Sequence, residues 1–366
     1  MKHLELFAGI GGFRQALELL HNDGVMHFES AGFSEVDQHA IKTYKANYSI
    51  SSDEIELGDI VDFTSIQENI ENLPDFELLT GGFPCQTFSM MGDQQGFGED
   101  RGKMFFRLWK ILRIKRPRYV LLENVKNLIT HNRGRTYSTI KRKLEELDYH
   151  VSCGVFNSAW FGLPQTRNRV FIFATLDDRH AAYDIGEHIQ DIIERFNEVK
   201  QDASVLTYDT VLDILSKDAD EKYYLSDRVK PTILSDGTGG FQSKSEINKL
   251  IARPLTASMH KMHRACQDNY YSKKFIESDG RVNDAEGLTK EELSKLPIRK
   301  LTPREAFMLQ GFSPNFVYNA HQAEVSNGAL YKQAGNAVSV NVIYAIVYYL
   351  IHNRIINEEW ICIEKL

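Results

Sequence analysis

Apolar residues along this chain keep two rhythms. Short apolar runs at 76–79 (interrupted by Glu77), 119–122 and 170–174, with the opening Leu4-Glu5-Leu6-Phe7-Ala8, have the length of buried strands. Segments 15–20, 104–114 and 137–147 space their apolar residues helically, and Pro117 closes the second of these. Strands alternating with helices predict an α/β fold built on an open sheet. From 176 to 300 the alternation fades, glycines gather at Gly237, Gly239 and Gly240, and polar aromatics enter with Asn269-Tyr270-Tyr271-Ser272. That stretch reads as a separate, loop-rich domain. Order returns at Thr302, a helix cap with Pro303 at the first position and Glu305 as capping-box partner. The run 338–351 is strongly apolar, but its length and Asn341 predict a core helix rather than a membrane span. Such a helix needs a sheet to cover, so the chain returns to its first domain. The division is 1–176, 177–300 and 301–366.

Composition changes this picture little. A chain of 366 residues, 42% hydrophobic and 25% charged, suits one large and one small soluble domain. Glu5 and Gly9 interrupt the early apolar run, so no signal peptide is expected, and four scattered cysteines fit a reducing cytoplasm. The net charge of −7 argues weakly against a polyanionic partner. The charge is segregated, however: bases crowd 101–118 and 126–143, acids 53–62 and 177–198. A nucleic acid stays open.

The candidate chemistry lies at strand ends, where open α/β sheets bind ligands. Gly81-Gly82-Phe83-Pro84-Cys85 follows the run 76–79, and Pro84 stiffens the turn that carries the thiol. Gly92, Gly96, Gly98 and Gly102 then alternate with polar residues, as in a lid. A lone cysteine is more often inert packing. The turn at Gly9, Gly11 and Gly12 lets backbone approach a nucleotide-like ligand, and Glu35 comes where an acid accepts ribose hydroxyls. With Asp59 at a third strand end, two acids favour S-adenosylmethionine over a dinucleotide. Glu123 at the end of the 119–122 strand can hold a proton in a dry pocket, although solvated glutamates are commoner. Arg167 and Arg169 alternate into the next strand, on one face. His260, His263 and Cys266 have ligand-like spacing, but three groups fall short of a structural zinc site, and a nucleic-acid surface is the better reading.

Five blocks in register resemble the DNA (cytosine-5)-methyltransferase family: Phe7-Ala8-Gly9-Ile10-Gly11-Gly12, Pro84-Cys85-Gln86, Glu123-Asn124-Val125, Gln165-Thr166-Arg167-Asn168-Arg169 and Gln333-Ala334-Gly335-Asn336-Ala337. The resemblance covers 4–175 and 299–345. It implies a Rossmann-like S-adenosylmethionine-dependent methyltransferase sheet with helices on both faces, plus a smaller target-recognition domain. It implies Cys85 as nucleophile toward cytosine C6, Glu123 at the N3 edge, Arg169 at O2 and Arg167 nearby. The cofactor set it implies is Phe7, Ala8, Gly9, Ile10, Gly11, Gly12, Glu35, Val36, Asp59, Ile60, Pro84, Met104, Asn336 and Ala337. Val36 departs from relatives that place a large aromatic there. Gln86, Ser89 and a lid ending at Arg101 would contact the DNA around a flipped base. S-adenosylhomocysteine would be the product, with no metal required. The implied protein is a cytoplasmic monomer acting on double-stranded DNA, in a bacterial restriction-modification setting with a possible cognate endonuclease. Three other readings compete: a transfer-RNA methyltransferase, a catalytically silent cofactor-binding regulator, and a nicotinamide oxidoreductase on the same sheet type. The first usually carries a Cys-Phe-Thr element that is not found here, and the last leaves the cysteine loop unexplained.

Overall fold

The computed structural model describes residues 1–84, 104–237 and 242–357. Its centre is a seven-stranded sheet of β1 (Lys2–Leu6), β2 (Glu29–Ser34), β3 (Ile55–Glu56), β4 (Leu78–Gly82), β5 (Tyr119–Val125), β6 (His150–Asn157) and β7 (Asn168–Thr175). The spatial order is β3-β2-β1-β4-β5-β7-β6, and β7 alone among them runs antiparallel to its neighbours. The central strands are apolar on both faces because both are covered. Val120 and Leu122 of β5 face one core, Tyr119 and Leu121 the other.

The principal helices divide between those faces. One is covered by α1 (Gly12–Asn22), α2 (Gln38–Asn47), α5 (Ile189–Val199), α6 (Pro303–Met308), α7 (Pro314–Gln322), α8 (Asn327–Asn336) and α9 (Val340–His352); the other by α3 (Met104–Lys115) and α4 (Arg135–Glu145). α9 packs on α1, so the chain does return to its first sheet. The helical run Asn327–His352 is apolar enough to cross a membrane by composition, but its burial inside the molecule marks it as core. The capping box at the start of α6 is present, with Thr302 and Glu305 each accepting the other's backbone N–H. Glu305 also meets the fully buried Arg299 at 2.8 Å, tying this helix to the preceding segment.

Two expectations shift. The strand placed at 76–79 begins later and runs through Gly81 and Gly82, which pair with Leu122 and Glu123 of β5. The strand ends at the glycine pair as expected, and a Cβ at Gly81 would lie 2.9 Å from Leu6 O, so that glycine also permits close packing within the sheet. The acidic stretch before 198 contains α5, whose Ile192 and Phe196 are buried beside α9. The rest of 177–300 is short helical turns and one small ladder, β8 (Tyr270–Ser272) with β9 (Ile298–Lys300); Leu225, Leu234 and Ile247 belong to a minor core, while Val211, Leu255, Tyr271 and Phe275 join the main one.

Candidate active site

A cavity of about 550 Å³ opens at the carboxyl ends of β1, β2, β4 and β5, where the strand order reverses about β1. Its first wall is the turn after β1. Phe7 takes a left-handed conformation (φ 55°), a rare state for a bulky residue. The strain is held by Ala8 N–H donating to Ser34 O at 2.9 Å and Gly9 N–H to Glu35 Oε2 at 2.7 Å. Glu35 also accepts from the N–H groups of Val36 and Asp37, both at 2.8 Å. Three of its roughly four acceptor positions are therefore used, leaving room for one ligand hydroxyl. Beneath the turn, Glu5 accepts the Phe13 N–H at 3.2 Å, and burial pushes its carboxyl up to about 8 against the pull of Arg14. On the same strand, burial and then the charge of Arg14 hold the His3 imidazole down at about 3, bonded to Thr80 Oγ1.

The opposite wall is acid and base chemistry. Glu123 Oε1 stands 3.0 Å from Arg169 Nε, and the side chain is 11% exposed. Burial raises its carboxyl above the ordinary range, opposed by the charges of Arg169 and Arg167. Asn124 donates to Phe83 O at 2.7 Å and so anchors the turn leading to Pro84, a cavity residue. Cys85 is next in sequence. Cys85, Gln86, Ser89 and Arg101, with the expected lid, lie outside the described residues.

Arg167 and Arg169 both line the cavity but bond differently. The Arg167 guanidinium, 2% exposed as a residue, donates to the carbonyls of Leu255 (3.1 Å), Gly335 (3.1 Å) and Ala337 (2.8 Å). Burial first, then Arg169, draws its pKa down to about 9. Gln165 donates to Leu309 O and accepts from Leu255 N–H, both at 2.9 Å. A seam of buried polar groups thus joins segments far apart in sequence. Close packing continues it, since a Cβ at Gly335 would fall 2.2 Å from the Thr256 carbonyl carbon.

Of the expected cofactor residues, Phe7, Ala8, Gly9, Ile10, Gly12, Glu35, Val36, Pro84, Asn336 and Ala337 line the cavity. Val36 is 58% exposed, a small flat surface at the mouth. Gly11, Asp59, Ile60 and Met104 are not among the lining residues. Asp59 caps a short turn, Ile60–Phe63, through the Val61 N–H, and Ile60 is buried in the core. His263 is engaged with Ser258 Oγ at 2.9 Å, and no cluster of three metal-ligating side chains occurs among the described residues. Sequence reasoning passed over Asn124, Asp37, Lys332 and Gln333. Asp37 and Lys332 form an ion pair of 2.6 Å at the cavity's edge. Asn124 and Gln333 stand inside recognised blocks, which was the available signal.

A ligand with an adenosyl group and an amino-acid tail suits these walls. The volume lies in the range of small-molecule sites. Phe7, Val36 and Phe83 offer apolar surface, Glu35 keeps acceptor capacity, and Gln333 carries a buried amide nitrogen with no partner among the described residues.

The family model described as C-5 cytosine-specific DNA methylase matches residues 1–352. The type II methyltransferase M1.ScrFI of Lactococcus lactis subsp. cremoris is 37% identical over 345 residues, which are 94% of this chain and 76% of that protein. The type II methyltransferase M.NlaX of Neisseria lactamica is 33% identical, covering 94% of each chain. Among solved structures, the Dnmt2 methyltransferase of S. pombe superposes with a TM-score of 0.71 at 19% identity, over 97% of this chain and 99% of that one, a likeness of fold.

Proposed function

This chain belongs to the C-5 cytosine-specific DNA methylase family and methylates C5 of cytosine in DNA, and from that premise we propose how its cavity does so. The observation that carries the proposal is the buried Glu123–Arg169 pair at the β5 end of a cavity whose other end holds Glu35. S-adenosylmethionine bound there supplies an electrophilic methyl group on its sulfonium. Glu35 and Val36 hold the nucleoside; Phe7 to Gly12, Pro84, Asn336 and Ala337 enclose the remainder.

The cytosine ring needs activation, because its C5 is a weak nucleophile. The Cys85 thiolate adds to C6, forming an S–C bond, while Glu123 delivers its proton to N3; C5 then has enamine character. Burial raises the pKa of Glu123, which favours the protonated carboxyl that such a donor needs. Arg169 keeps the carboxyl oriented and holds the base O2. After C5 has gained its methyl group, its proton leaves to water or hydroxide, the C6–S bond breaks to restore the thiolate, and N3 returns its proton to Glu123. Arg167 braces the wall through backbone carbonyls.

Residues 177–300 form the target-recognition unit, facing duplex DNA from which the cytosine is flipped at a cost of about a few kcal/mol. Gln86, Ser89 and Arg101, outside the described residues, are the expected DNA contacts around the vacated site. The protein acts as a cytoplasmic monomer, protecting its sequence from a cognate endonuclease, as the type II names of its relatives suggest. The test is a duplex carrying 5-fluorocytosine at the target, located first by bisulfite sequencing of DNA from expressing cells. Wild-type protein gives a denaturation-resistant adduct on gels; Cys85→Ala gives none, does not methylate, and binds S-adenosylhomocysteine within about two-fold of wild type. An adduct with the alanine variant removes Cys85 from the mechanism.

A further inference from the structure

One polar group in the cavity wall has no part in the chemistry above. Gln333, on α8, is 5% exposed and lines the cavity. Thr43 Oγ1, on α2, donates to its Oε1 at 2.9 Å, which fixes the amide and leaves Nε2 without a partner among the described residues. A buried donor is normally satisfied, so one left open beside a ligand cavity points to the ligand.

The surroundings narrow the choice of ligand atom. A Cβ at Gly11 would lie 2.9 Å from the ring of Tyr44 on α2, and one at Gly12 would lie 2.9 Å from Val338 O, just past α8. The Thr43–Gln333 bridge therefore joins the two elements that flank the glycine turn, the part of the wall read above as enclosing the methionine portion. The N-terminus of α1 adds partial positive charge there. An amide N–H donor in this setting matches a carboxylate. We propose that Gln333 is a cofactor-binding residue, its Nε2 donating to the carboxylate of the amino-acid tail, with Thr43 as the positioning residue that turns the amide. The proposal rests on the reading of this cavity as the S-adenosylmethionine site.

Calorimetry on the full chain tests it with two ligands: S-adenosylhomocysteine, and 5′-methylthioadenosine, which lacks the tail. Gln333→Leu keeps the volume and removes the donor. It should weaken S-adenosylhomocysteine about ten-fold and methylthioadenosine less than two-fold. Thr43→Val should weaken S-adenosylhomocysteine about three-fold. Should Gln333→Leu fail to fold in a ligand-free melt, Gln333→Glu keeps the shape and repels the carboxylate, and must show the same ligand selectivity. Unchanged affinity for S-adenosylhomocysteine, or equal weakening of both ligands, overturns the proposal. Wild-type protein that binds neither ligand overturns instead the cofactor reading beneath it.

Discussion

Two regions meet at the Gln165–Arg169 segment, and they use the same side-chain chemistry to opposite ends. At the Arg169 side, a guanidinium and the carboxyl of Glu123 face each other across an open cavity, each with bonding capacity to spare. At the Arg167 side, two residues away, the terminal N–H groups of the guanidinium bond three backbone carbonyls, and only its Nε has no partner among the described residues. The first arrangement leaves donor and acceptor groups open to a ligand. The second holds three stretches of chain together at the expense of a buried charge. Residue type and spacing do not separate a reactive arginine from a bracing one; what its N–H groups already bond does.

The comparison yields graded outcomes. Glu123→Gln should lower single-turnover kcat by about 10²–10⁴, without loss of stability in urea unfolding. The wild-type rate should fall as rising pH strips the proton from Glu123, and the variant should lack that limb; a variant that keeps it locates the proton elsewhere. Arg167→Ala should cost about 3–5 kcal/mol in urea unfolding, because three buried carbonyls lose their donor. A loss below about 1 kcal/mol would make Arg167 a ligand contact instead. Glu5→Gln probes the floor of the glycine turn. The folded state retains a proton on Glu5 that the unfolded chain releases above 4.5, so stability should decline as pH climbs from 4.5 to about 8. Glu5→Gln should flatten that decline in melts taken across this range, and the difference between the two proteins cancels the opposite slope from His3, which lies below 6.5. Least of all, Lys332→Met breaks an ion pair whose lysine is 52% exposed, and should change stability by less than about 1 kcal/mol.

Much of this was legible in the sequence because it depends on near neighbours. The capping box at Thr302 and Glu305 is local chemistry. The length of its apolar run and Asn341 within it predict the core character of α9, and the burial of the helix agrees. Glu35 could be placed because a strand followed by a helix aims its intervening residue at the sheet's edge. The positions that escaped depend on distant partners. Arg167 is defined by carbonyls at 255, 335 and 337, and the open end of Gln333 by a threonine almost three hundred positions earlier. Gly81 and Gly82 do end β4, but the close approach of Leu6 O of β1 to Gly81 depends on a strand more than seventy residues earlier and could not be read locally. α5 was hidden by surrounding acids, although Ile189, Ile192, Ile193 and Phe196 already had helical spacing.

The packing of α9 on α1 has a consequence for biosynthesis. The helix that follows the first strand waits for a cover that emerges from the ribosome only after some three hundred further residues. Until then the apolar side of α1 that meets α9 is bare, open to chaperones or to other unfinished chains. A message truncated anywhere before Val340 therefore yields aggregation-prone protein rather than a smaller working enzyme, and maturation is gated by the arrival of the last helix.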